Sequence, residues 1–192
     1  MNRKSTKHDE NPPLVYYSFL ESTPLGKVLV GTSENGLCFI TFGKLTKQRM
    51  IQKLKNTFPD SEVTESSIKL SIYKKTLGKY FKGDLKKFEL PLDLRGIHSS
   101  FQQKVYRAAL KIPYGKVITY RELAQKIKVP GAPRAVGNAL GRNRIPIVIP
   151  CHRVVAANGG LGGFTGGIEY KKILLRIEDC RLKDLKTVNN VQ

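Results

Sequence analysis

Cysteine, histidine and arginine stand side by side at Cys151, His152 and Arg153, at the end of the apolar stretch "IPIVIPCHRVV" (145–155). A thiol beside an imidazole admits three chemistries: a pair of metal ligands, a buried structural cysteine, or a nucleophile with its own base. Metal ligation has little support. The chain holds three cysteines and three histidines, no Cys-x-x-Cys spacing, and only His152 adjoins a cysteine. No metal and no cofactor are expected, and Cys38 and Cys180 read as structural thiols. A nucleophilic Cys151 would need help, because a free thiol of pKa about 8.5 is only a few per cent ionised at neutral pH. His152 can take the proton. Neighbouring side chains seldom face each other, so a bridging water would carry it.

The elements that must position these groups can be read outward from them. The chain has 192 residues, 40% of them apolar, which is enough for a packed core in one large domain or two small ones. No run of 18 apolar residues occurs, so no membrane span is expected. The start, "MNRKSTKHDENPP", lacks the apolar stretch of a secretory signal, so a reducing, cytoplasmic location is expected. The net charge is +19, and residues 98–182 carry 15 Lys/Arg against 4 Asp/Glu, compared with 17 against 10 over 1–97. Such an excess suits a polyanion, above all nucleic acid.

"LVYYSFLE" and "KVLVGTSENGLCFITF" predict three antiparallel strands, with turns at 23–26 and at Asn35-Gly36. "LTKQRMIQKLKNTF" (45–58) and "SSIKLSIYKKTLGKYFKG" (66–83) have helical spacing. The fold expected is an α/β N-terminal domain over 14–94, a three-stranded antiparallel sheet with helices, followed by a mostly α C-terminal domain over 95–182. Residues 1–13 and 183–192 read as mobile tails. In the second half, "SSFQQKVYRAALKIPYG" predicts an amphipathic helix with a capping box from Ser100 to Gln103. A last helix is expected over 167–182. Glu178 lies on its leucine face, where it is either swung into solvent or buried against a partner.

"ITYRELAQKIKVPGAPRAVGNALGRN" (118–143) predicts a helix-turn-helix. Thr119 and Glu122 form a capping box at its first helix, and Pro133 opens its second. One face of that second helix carries Ala135, Val136, Ala139 and Leu140. The other carries Arg134, Gly137, Asn138 and Gly141, with almost no bulk. A bare face either packs against protein or lets the helix backbone approach a duplex closely.

"IPCHRVV" resembles the active-site signature of the O6-alkylguanine-DNA alkyltransferases. "ITYRELA", "RAVGNAL", "GRN" (141–143) and "GGFTGG" (162–167) fall in that family's order. The match is strong from about 99 to 182 and general over the N-terminal half. The resemblance implies direct, single-turnover DNA repair by a monomer. An alkyl group would pass from O6-alkylguanine, and from O4-alkylthymine, in double-stranded DNA to Cys151. It implies His152 as base through a water, Glu178 as its orienting carboxylate, and Tyr120 as proton donor to the departing base. Asn143 would tie the helix pair to the cysteine segment. Arg134 would fill the space left by an everted nucleotide, with Ala135, Gly137 and Asn138 beside it on the helix facing DNA. Arg153, backbone groups of Cys151 and Val154, and Phe164, Thr165 and Gly166 would contact DNA or the base. Phe164 stands where the family more often has tyrosine, so it can stack but offers no hydroxyl. A non-catalytic lesion-binding relative, a Cys–His–Glu hydrolase and a plain helix-turn-helix regulator are the alternatives.

Overall fold

The computed structural model describes residues 12–97, 99–157 and 160–180. The expected tails, apart from Pro12 and Pro13, lie outside the described residues, as do the last two residues of the expected C-terminal domain.

Strands β1 (Leu14–Thr23), β2 (Gly26–Ser33) and β3 (Gly36–Phe42) form an antiparallel meander. The first turn is tied by Thr23, whose hydroxyl donates to Gly26 O at 2.7 Å. In the second, only Gly36 takes positive φ (+127°), so Asn35 does not share the left-handed geometry expected of the pair. Gly36 is also irreplaceable for room: a Cβ there would lie 2.3 Å from Pro91 O. The segment after Leu90 runs beside β3, where Leu37 N donates to Pro91 O and Asp93 N to Leu37 O. This segment is thus docked along an edge strand, which covers groups that would otherwise stay unpaired.

A fourth strand, β4 (Glu62–Glu65), pairs parallel to β1 and gives the order β3-β2-β1-β4. Sequence reasoning missed it because "EVTE" is short, polar and mostly exposed, as edge strands often are. One face of the sheet, with Val15, Tyr17, Phe19, Leu29 and Phe39, packs on Met50 and Leu54 of helix α1 (Lys47–Thr57). The other face, with Val28, Val30, Leu37, Ile40 and Phe42, joins the larger core. Cover on both faces explains why every residue of β3 is buried and why its sequence does not alternate. Helix α2 (Ser71–Phe81) starts five residues later than predicted, after a turn, and is followed past its cap Lys82 by Gly83, whose φ of +83° suits a helix terminus.

The C-terminal domain is mostly helical. Helix α3 (Ser100–Ala109) is capped by Ser99, which accepts from Gln102 N, one residue ahead of the expected Ser100–Gln103 box. Gln103 turns instead to Ile97 O. Helix α4 (Tyr120–Lys126) opens with both bonds of the Thr119–Glu122 capping box, and α5 (Pro133–Gly141) begins on Pro133. Val105, Leu123, Val136 and Leu140 join these three helices in the larger core, which also holds Leu77 and Tyr80 of α2. A two-residue parallel pair, β5 (Ile118–Thr119) with β6 (Val154–Val155), sets the start of α4 beside the cysteine segment. Helix α6 (Ile168–Ile177) closes the domain. Among the described residues no helix is long and apolar enough to cross a membrane.

Candidate active site

The cysteine segment is held by Asn143 from the end of α5. Its Nδ2 donates to Ile149 O at 2.9 Å, its Oδ1 accepts from Ile145 N at 2.9 Å, and Nδ2 also lies 3.3 Å from Cys151 Sγ. Between these bonds Ile147 sits fully buried at φ +78°. A β-branched residue in that region carries strain of about 1–3 kcal/mol, which persists only where surrounding contacts over-determine the backbone.

Cys151, His152 and Arg153 then form one 3₁₀ turn. At three residues per turn, successive side chains point about 120° apart. The three groups therefore part company despite being adjacent. Cys151 lines a cavity of 610 Å³, shared with Tyr120, Arg134, Gly137, Asn138, Phe164 and Thr165. It also borders a second cavity of 280 Å³, with Phe42, Lys44, Asn143 and Gly166. His152 and Arg153 point inward, at 0% and 6% exposure.

Both inward groups meet Glu178, which follows the last turn of α6 and is itself 2% exposed. Glu178 Oε1 is 2.7 Å from His152 Nε2 and accepts from Arg153 Nη2 at 3.0 Å; Oε2 accepts from Arg153 Nε at 2.8 Å and from Gly115 N at 3.2 Å. Arg153 Nη1 donates to Ile112 O at 2.6 Å. The sequence reading had put Arg153 at the DNA surface, and that placement is corrected. Its guanidinium is buried, and the fork geometry that suits arginine to phosphate here grips a carboxylate.

The electrostatics follow from this packing. Burial pushes the Glu178 carboxyl up, but hydrogen bonds and charges from His152 and Arg153 outweigh it and hold the group at about 2. Burial holds His152 below the ordinary histidine value, against the opposing pull of Glu178. The ring is then neutral at physiological pH. With an ionised carboxylate at 2.7 Å, Nε2 must carry the hydrogen, which leaves the lone pair on Nδ1. Nδ1 is the one buried side-chain nitrogen or oxygen without a hydrogen-bond partner among the described residues. Burial raises the Cys151 thiol, partly offset by Asn143 and Lys171, so the resting sulfur is protonated and must lose its proton to react.

The cavity wall comes from three other elements. Tyr120 donates to Gly163 O at 3.2 Å, and burial raises its phenol. Phe164 stacks on Phe42 of β3 with ring centres 6.3 Å apart, and Thr165 Oγ1 donates to Gly141 O at 2.7 Å. A Cβ on Gly166 would meet Phe42 Cε2 at 2.7 Å, so that position has room for glycine alone. Arg134, Ala135 and Asn138 are exposed along α5. Ala135 and Val154 are not among the residues lining the cavity. Val154 is fully buried behind it, and its carbonyl accepts from Lys171 Nζ at 2.6 Å.

Two residues were missed by the sequence reading. Lys171 is fully buried, donates also to Leu161 O, and is lowered to about 8 by burial. Its signal was present: Lys171, Leu174, Leu175 and Glu178 share one helical face. Tyr80, from the N-terminal domain, donates its hydroxyl to Glu178 Oε1 at 2.7 Å and has no local signal beyond its place on a buried stripe.

Known proteins match this chain across both halves. Family models of 6-O-methylguanine DNA methyltransferase match the chain twice, as its ribonuclease-like domain over 15–94 and as its DNA binding domain over 100–180. The methylated-DNA–protein-cysteine methyltransferase of Methanosarcina acetivorans is 41% identical over 164 residues, covering 85% of this chain and 98% of that protein. The inducible enzyme of Bacillus subtilis is 35% identical, covering 88% and 93%. Among solved structures, Mycobacterium tuberculosis OGT in complex with DNA superposes with a TM-score of 0.73 at 36% identity, covering 88% of this chain and 98% of that one. Two-domain coverage at this identity, on a chain that keeps the cysteine at a cavity and the buried histidine–glutamate pair, places it in the methylated-DNA–protein-cysteine methyltransferase family.

Proposed function

We propose that this protein repairs double-stranded DNA directly, by moving the alkyl group of O6-alkylguanine, and of O4-alkylthymine, once and irreversibly onto Cys151. One observation carries the reading. Cys151 lines a 610 Å³ cavity while the next residue's imidazole is locked to a buried carboxylate. The damaged nucleotide is everted into that cavity. His152 Nδ1 takes the thiol proton through a water, and Glu178 with its donors stabilises the resulting cation. The sulfur attacks the alkyl carbon in line, an S–C bond forms as the C–O6 bond breaks, and Tyr120 protonates the departing base. Asn143, donating toward the sulfur, stabilises the anion as it forms. A thioether has no leaving group that water can displace, so one molecule acts once.

Arg134 enters the duplex from the exposed face of α5, where Ala135, Gly137 and Asn138 let the backbone approach. Phe164 stacks on the everted base and Thr165 faces its O6 side. The carbonyls of Cys151 and Val154 read its edge; Val154 O has a second lone pair beyond the one bonded to Lys171. The protein works as a monomer. It needs a free thiol, which suits the reducing cytoplasm. A lesion-binding relative without transfer is disfavoured, since Cys151 is in place.

Incubation with methylated duplex should add one methyl mass to the peptide containing Cys151, in a 1:1 ratio with protein. Cys151→Ala should bind the lesion yet leave it intact. Continued turnover, or methylation of another residue, would overturn the proposal. A second prediction concerns the pocket wall. Gly162 has φ +67°, and a Cβ there would lie 2.8 Å from Tyr120 Cε2. Gly162→Ala should displace that ring and slow transfer by about 10- to 100-fold, the usual cost of an ångström-scale misplacement. Single-turnover rates near wild type would show that the ring position is unimportant.

A further inference from the structure

Helix α2 brings a hydroxyl into the buried pair. Its apolar stripe of Tyr73, Leu77 and Tyr80 faces the core, and Tyr80 is fully buried between Phe81, Phe88 and Tyr114, with ring centres 5.7, 5.2 and 6.2 Å away. Its hydroxyl lies 2.7 Å from Glu178 Oε1 and 3.5 Å from His152 Nε2. Since an ionised carboxylate can only accept, the phenol must donate to it. Oε1 is thus shared by the imidazole, the phenol and Arg153 Nη2.

We propose that Tyr80, supplied by the N-terminal domain, is a positioning residue for alkyl transfer: its hydroxyl clamps Glu178 Oε1 and so fixes the orientation and tautomer of His152. The N-terminal domain then completes the site instead of merely supporting it. The inference rests on the alkyl-transfer reading above. Two physical consequences follow. A carboxylate held from both sides keeps His152 Nε2–H bound and Nδ1 free to act. The phenol also draws off part of the negative charge that would otherwise stabilise protonated His152. The charged and titratable groups around the imidazole are Glu178 after α6, Arg153 and Cys151 on its own turn, Lys171 on α6, and Tyr80 on α2. Among the described residues, Tyr80 is the one of these that comes from the N-terminal domain.

Tyr80→Phe removes the hydroxyl and keeps the ring. Single-turnover transfer from methylated duplex is measured on the full chain across the range in which histidine titrates. The variant should bind the lesion as wild type does but react about tenfold more slowly at neutral pH, the worth of one hydrogen bond to a charged group. With the phenol gone, Glu178 stabilises protonated His152 more strongly, so the acid limb of the profile should move up by about half a pH unit or more. A merely structural tyrosine would lower the rate evenly and leave the limb in place, and that result overturns the proposal. Tyr73→Phe, on the same helix and outside the Glu178 hydrogen bonds, is the control and should keep the wild-type profile. Should Tyr80→Phe fail to fold, proton NMR of the wild type decides. A slowly exchanging Tyr80 hydroxyl proton with a nuclear Overhauser contact to the His152 ring supports the clamp; a rapidly exchanging one sinks it. If wild type itself transfers nothing, the alkyl-transfer reading has failed, and not the assignment of Tyr80 alone.

Discussion

Glu178→Gln is expected to lower the unfolding free energy by about 3–5 kcal/mol, because removing one partner of a buried ion pair leaves the other uncompensated. The same change should slow transfer about a thousandfold or more, as when a triad carboxylate becomes an amide and its histidine takes the wrong tautomer. Glu178 accepts from Arg153 Nε and Nη2, Tyr80 and Gly115, and faces His152 Nε2 at 2.7 Å. Glutamine offers one accepting oxygen. Its NH₂ would point a donor at groups that are themselves donors, so at least one buried charge-assisted bond is lost outright. The pH dependence follows from the folded carboxyl lying at about 2 against an ordinary 4.5. A depressed carboxylate contributes its full stability above the unfolded value and loses it as pH falls through the folded one. The gap between wild type and variant should therefore be widest at neutral pH and shrink from 4.5 towards 2. Denaturant melts at neutral and acid pH measure it, and a gap that stays constant with pH would contradict the assignment.

The parts of this molecule legible in sequence are those fixed by local chemistry. Strands β1 to β3 follow from β-branched runs broken by turn residues, and the cap of α4 from Thr119 and Glu122 three residues apart. The family followed from the cysteine segment together with the helix pair before it. What escaped depends on partners distant in the chain. Tyr80 meets Glu178 across 98 residues and Lys171 meets Val154 across 17. Arg153 was misplaced for a different reason. The resemblance implied a contact with DNA or the base, whereas direction is set by a 3₁₀ turn that a run of three letters does not announce. Strand β4 was missed because its polar side chains carry no alternating signal and its pairing with β1 is decided by tertiary contact.

Arg153→Met separates these two accounts of the arginine, since the folded packing and the surface contact predict opposite patterns. Methionine can fill much of the stem's volume but leaves Glu178 without the guanidinium that grips both its oxygens and Ile112 O without its Nη1 donor. Stability should fall by about 3–5 kcal/mol, again the cost of breaking a buried pair from one side. Lysine should rescue little, because a single ammonium cannot reproduce a fork that reaches both carboxylate oxygens and a carbonyl. DNA affinity gives the contrasting readout. A cation that neutralises one phosphate adds about 0.9 to the slope of log affinity against log salt. Arg153 is 6% exposed and bonded inward, so the folded variant should keep the wild-type slope for undamaged duplex. Exposed Arg134, which enters the duplex from the start of α5, should lower the slope when changed to alanine. A lowered slope in Arg153→Met with unchanged stability would return the guanidinium to the DNA surface. The two buried-pair variants also test each other. Glu178 and Arg153 share their hydrogen bonds, so the double substitution should cost well short of the two single losses added together. Simple additivity would mean that the two groups do not form one unit.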